Sequence, residues 1–168
     1  MRTYQYGDTV LITCLHETYD FDNDAWTAVN PDSGFPRLTI IDPDDLRQLS
    51  SIEVSSNASF TVGLTVTGGT STAHGVVASK PGSTTLVLLD CCEETGSWES
   101  GEAITDTGTG SSTTASLLTG VAMTLAATGK HTYQHELPAS SATGRWTGYV
   151  DVENGGYPNR QPFTFQVN

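Results

Sequence analysis

Every second residue of the run 131–137 is a ring or an aliphatic: His131, Tyr133, His135, Leu137. The next run repeats the pattern through Trp146, Gly148, Val150 and Val152, and the last through Phe163, Phe165 and Val167. A two-residue period is the mark of a strand with one buried face, because successive side chains point to opposite sides of the pleat. A chain built this way must stack sheets, and no stretch keeps helical spacing over three turns. The 26 Thr, 16 Ser and 17 Gly agree, since Thr suits a half-exposed pleated surface and Gly and Ser suit turns. The expected class is all-β, with these three runs as consecutive strands of a small antiparallel sandwich.

The 168 residues are enough for one medium domain or two small ones. Net charge is −12, from two Lys and five Arg against 19 acids. A nucleic-acid binder needs a basic patch to neutralise phosphates, and an anionic membrane attracts the same groups, so neither is an expected partner. An acidic, Lys-poor surface suits a marine or halophilic setting as well as it suits an ordinary soluble protein. The opening Met1-Arg-Thr-Tyr-Gln-Tyr6 lacks the apolar stretch of a signal peptide, and no run of apolar residues is long enough to span a bilayer. Synthesis in the cytoplasm, without secretion by a classical route, is therefore expected.

Composition divides the chain in three. Residues 1–49 hold nine acids and three bases, residues 50–117 hold seven and one, and residues 118–168 hold three of each. The middle segment is rich in Ser, Thr and Gly. Its short β signals are Phe60-Thr-Val-Gly-Leu-Thr-Val66, His74-Gly-Val-Val-Ala78, Thr84-Thr-Leu-Val-Leu-Leu89 and Gly101-Glu-Ala-Ile104, with Gly108-Thr-Gly-Ser-Ser-Thr-Thr114 reading as a loop. The flanks carry strands near 9–17 and 37–41, and then the three C-terminal runs. Neither flank alone has the strands to close a sandwich, whereas together they approach the usual seven. The expectation is one discontinuous Ig-like sandwich from 1–49 and 118–168, with 50–117 inserted as a small β-barrel-like domain.

Tyr6-Gly-Asp-Thr-Val10, Ile40-Ile-Asp-Pro-Asp44, the segment from Gly129 to Pro138, Gly144-Arg-Trp146 and Phe165-Gln-Val167 together resemble the Ig-like β-sandwich of structural proteins from tailed viruses of bacteria and archaea. The insert is similar to a small β motif of phage virion proteins, through Gly75-Val-Val-Ala78, Leu86-Val-Leu88, Gly96-Ser-Trp98, Gly101-Glu-Ala-Ile-Thr105 and 109–114, with Cys91-Cys92-Glu93-Glu94 departing from that motif. The resemblance implies a non-enzymatic virion component at the neck, where head meets tail, or on the tail. Its implied partners are other virion proteins, with the chain itself a homo-oligomer in a ring or bound to a lattice. The alternatives are a capsid decoration protein on the head surface and a module that binds a host glycan or calcium.

No residue set reads as catalytic. There is no Gly-x-Ser-x-Gly elbow, and the adjacent Glu93 and Glu94 point apart on a strand, whereas glycosidase chemistry needs two facing carboxyls. Asp20-Phe-Asp-Asn-Asp24 begins like a calcium loop, but Ala25 and Pro31 stand where an EF-hand needs Gly and a bidentate Glu. A looser calcium site from Asp20, Asp22 and Asp24, joined by Asp42, Asp44 or Asp45, is the one metal candidate; no cofactor is expected. His131 and His135 read as rings at the edge of the core. Cys14, Cys91 and Cys92 read as free thiols, because adjacent strand residues face opposite ways and three thiols make no disulfide framework. Trp146 reads as core. Trp26 and Trp98, each beside a loop, are the candidates for interaction, as an exposed Trp anchors a subunit contact or a sugar.

Overall fold

The computed structural model describes residues 2–44, 47–92, 98–118, 120–137 and 141–168, with the backbone alone for 47–48, 90–92 and 116–118. The chain is all-β: strand makes up 59% of it. The strands are β1 (Thr3–Tyr4), β2 (Thr9–Leu15), β3 (Glu17–Asp20), β4 (Ala25–Ala28), β5 (Arg37–Ile41), β6 (Arg47–Val54), β7 (Thr65–Gly68) and β8 (His74–Ser79). They continue with β9 (Thr85–Cys92), β10 (Ala103–Asp106), β11 (Ser111–Leu118), β12 (Val121–Ala122), β13 (Thr124–Ala127), β14 (Lys130–Glu136), β15 (Gly144–Asn154) and β16 (Tyr157–Val167). Two compact units result, one from residues 1–38 with 122–168 and the other from 39–121. The composition boundaries at 49/50 and 117/118 lie inside the second of these, because β6 is hydrogen-bonded along its length to β9 and β11.

The first unit has two layers. One is the antiparallel sheet β13–β14–β2, and the other joins β15 to β16 antiparallel and β16 to β1 in parallel. Alternation along β2 buries Val10, Ile12 and Cys14, and alternation along β15 buries Trp146, Gly148, Val150 and Val152. The layers meet where the Cys14 thiol lies 3.5 Å from Gln161 Oε1 and the His135 ring lies 6.0 Å from that of Trp146. Trp146 stacks on Phe165 at 5.6 Å and donates its indole N–H to the Ala142 carbonyl, so its one polar atom is satisfied inside the core.

The second unit is a barrel. β6 pairs with β11, β11 with β10, β10 with β7, β7 with β8, β8 with β9, and β9 returns to β6, all antiparallel. Its core gathers Ile52, Val54, Phe60, Val66, Val77, Leu86, Leu88, Trp98 and Ile104. Closure leaves no unpaired edge around this ring. The segment read as a loop at 108–114 supplies the start of β11, whose Thr and Ser backbones pair with β10. Conversely β7 starts only at Thr65, because the Thr61 N–H is held by Asp106 Oδ2 at 3.1 Å and the chain turns before pairing.

Two buried carboxylates fasten the barrel's loops. Glu102 accepts from the N–H groups of Glu99, Thr70 and Ser71 and from the Ser71 hydroxyl. Asp106 accepts from the N–H groups of Thr61, Gly108 and Gly110. Burial opposes charge at both, yet these donors outweigh it and hold each carboxyl below its ordinary pKa. A Cβ on Gly110 would lie 2.5 Å from Asp106 Oδ2, so the close approach requires glycine.

Candidate functional site

The acidic segment is the tip of a hairpin. β3 and β4 pair in the register Glu17↔Ala28, Thr18↔Thr27, Tyr19↔Trp26 and Asp20↔Ala25. Asp20 Oδ1 accepts from the N–H groups of Asp22 and Asn23 at 2.9 and 3.3 Å, and its Oδ2 accepts from Asn23 Nδ2 at 2.6 Å. This side-chain mimic of a backbone turn is what Asp does well at such a position. Asp24 closes the tip with φ at +50°, a conformation Asp tolerates better than most residues. The Tyr19 hydroxyl donates to Asp24 Oδ1. The Asn23 amide, with the Asp22 N–H, holds Asp20 below its ordinary pKa, and the bond to Asp24 pushes the Tyr19 phenol up.

The hairpin carries three aromatic rings in contact. Tyr19 meets Phe21 edge-on at 4.9 Å and Trp26 at 5.3 Å. Phe21 is 88% exposed and Trp26 66%. Beside Trp26 a shallow cavity of about 310 Å³ is lined by Leu15, His16, Glu17, Trp26, Asn159 and Gln161. At the hairpin's base the Val29 N–H donates to the His16 carbonyl, the His16 N–H to the Gly129 carbonyl, and the Gly129 N–H to Asn30 Oδ1.

The structure separates the two tryptophan candidates. Trp26 is on the surface as an interaction residue must be. Trp98 is not: at 5% exposure it belongs to the barrel's buried core cluster, with Ile52, Phe60 and Leu86. Nor do Asp20, Asp22 and Asp24 gather around a common point. Both oxygens of Asp20 serve its own turn and Asp24 receives Tyr19, and among the described residues no three His, Cys, Asp or Glu side chains are placed to hold a metal. Asp42 Oδ1 accepts from the Asp44 N–H in a separate turn, and Asp45, Glu93, Glu94, Gly96 and Ser97 lie outside the described residues. Cys14 is a buried free thiol whose pKa burial raises; Cys91 and Cys92 are described by backbone alone.

His131 and His135 are buried in the sandwich, at 6% and 5% exposure. Sequence reasoning missed the pairing of Tyr19 with Trp26, and the signal for it was the Asp20-x-x-Asn23 turn between two short runs.

Among the described residues no helix is long and apolar enough to cross a membrane. No protein-family model matches the chain, and no curated protein matches it in sequence.

Proposed function

We propose that the chain is a non-enzymatic structural component of a tailed-virus particle, at the neck or on the tail, which acts through subunit contacts made by the β3–β4 hairpin. The observation that carries this reading is the exposure of Phe21 and Trp26 on a hairpin already ordered by its own hydrogen bonds. Burying either ring against a partner contributes roughly 1.5–3 kcal/mol, and a preordered contact loses little entropy on binding. Exposed Trp set among polar neighbours is a common anchor of protein interfaces. The virion setting rests on the Tyr6–Val10, Ile40–Asp44 and C-terminal motifs and on those of the middle segment. Host-cell synthesis and placement in the virion belong to the same proposal, as does assembly with further copies and with other virion proteins.

A capsid decoration protein would use the same contact at a different copy number. Quantitative mass spectrometry of purified particles separates the two: a ring-like count supports the neck or tail, and a count close to that of the major shell protein supports decoration. Absence from the particles contradicts both.

One observation favours a second reading. Trp26 stands at a cavity that is also lined by Asn159 and Glu17, an amide and a carboxylate. A ring face with hydrogen-bonding groups beside it suits a sugar. Binding of the isolated chain on a glycan array, lost in Trp26→Ala, would favour this reading over a protein contact.

A further inference from the structure

The geometry points to β2 as a docking edge where a second copy of this chain adds, its own Thr9–Leu15 strand running antiparallel to the first about a two-fold axis at Ile12. This inference is independent of the virion reading.

β2 ends the sheet β13–β14–β2, so one of its sides is unpaired. Which groups face that side follows from two bonds. The His16 N–H donates to the Gly129 carbonyl on the β14 side at 2.7 Å, while the Leu15 carbonyl accepts from Gln161 Nε2 on the other side at 3.2 Å. Backbone groups alternate along a strand, so the N–H and C=O groups of Leu11 and Thr13 point away from β14. Among the described residues they have no partner there. Next to them lies a cleft of about 330 Å³ lined by Val10, Leu11, Ile12 and Thr13 on one side and by Phe163 and Phe165 on the other.

Native sheets blunt their edges with short strands, bulges, prolines or charges. The other edges of the first unit do so. β13 has four residues and a break in register between Leu125 and Ala127, and β16 loses donors at Pro158 and Pro162. β2 uses none of these devices: it pairs with β14 over seven residues without a bulge and holds neither Pro nor charge. In a chain of net charge −12, it is an uncharged edge of unbroken register, with Leu11 and Leu15 half-exposed or more on its outer face.

The occupant follows from self-complementarity. With Ile12 opposite Ile12, Leu11 of each copy meets Thr13 of the other. These are the residues whose free N–H and C=O groups face outward, so each such pair can exchange both bonds. The same register sets Asp8 opposite His16 at both ends, so no like charges face each other across the axis.

The test is sedimentation of the full purified chain over a range of concentrations. The wild type is expected to dimerise. Thr13→Pro removes an outward N–H that the fold does not use and should leave a monomer. Leu11→Lys changes only an exposed side chain, tests the same edge should Thr13→Pro fail to fold, and should weaken dimerisation at least tenfold. A wild type that stays monomeric at its highest soluble concentration overturns the proposal. So does a dimer that Leu11→Lys leaves unchanged, or an edge taken up by a strand of a different protein while the chain alone stays monomeric.

Discussion

The imidazole of His135 lies against the indole of Trp146, ring centroids 6.0 Å apart, with Nε2 buried and without a hydrogen-bond partner. Desolvation pushes the pKa of His135 down from 6.5 to about 4, and burial, followed by the charge of His16, lowers that of His131. Both rings are neutral where they pack.

A pH dependence follows from His135. The folded ring resists protonation, whereas the unfolded chain takes up its proton as pH falls below 6.5. The unfolded state then binds more protons, so stability falls as pH drops from 6.5 and stops falling through this group near 4. The full loss is about 3 kcal/mol. His135→Phe should flatten the dependence of the urea midpoint on pH within that window. A variant as pH-sensitive as the wild type would show that the ring is solvated.

Asp106 has the opposite sign of charge and a lower window. Its carboxylate receives three backbone N–H groups, and its pKa lies below 3.8 in the fold. Its stabilisation is present above 3.8 and is lost as pH falls through the depressed folded value. Asp106→Asn keeps the shape but turns an N–H group toward a donor, and should cost about 2 kcal/mol at neutral pH. Thermal unfolding measures this, with the fluorescence of Trp98 reporting on the barrel.

Gly129 turns the chain between β13 and β14 at φ +69°. A Cβ there would lie 2.5 Å from the His16 carbonyl oxygen, which is backbone and cannot swing aside. Gly129→Ala should therefore lower stability by about 2 kcal/mol or more and loosen the base of the hairpin. Calorimetry checks the stability, and hydrogen exchange at the amides of His16 and Val29 checks the loosening.

Strands with one buried face were legible in the sequence. β5 coincides with the expected run at 37–41, and β14, β15 and β16 contain the rings and aliphatics whose alternation announced them, save Leu137, which follows the end of β14. β3 and β4 were not, because β4 is exposed at every residue and leaves no period to read. β11 was hidden by its Ser and Thr, which pair through backbone and bury little. The candidate site was half legible for the same reason. A tryptophan next to a loop gives no sign of whether its ring is buried in a core, as at Trp98, or held out by a hairpin, as at Trp26.

Under the proposed function, the β3–β4 hairpin attaches the chain to a virus particle. Trp26 and Phe21 make no contribution to either core, so Phe21→Ser with Trp26→Ser should change the folding stability of the isolated chain by no more than about 0.5 kcal/mol. The most direct measurement is competitive incorporation: wild type and this double variant are supplied together during assembly, and their ratio in purified particles is read by mass spectrometry. The variant is expected to be depleted at least tenfold in particles while melting like the wild type. Equal incorporation of a normally folded variant would contradict the proposal.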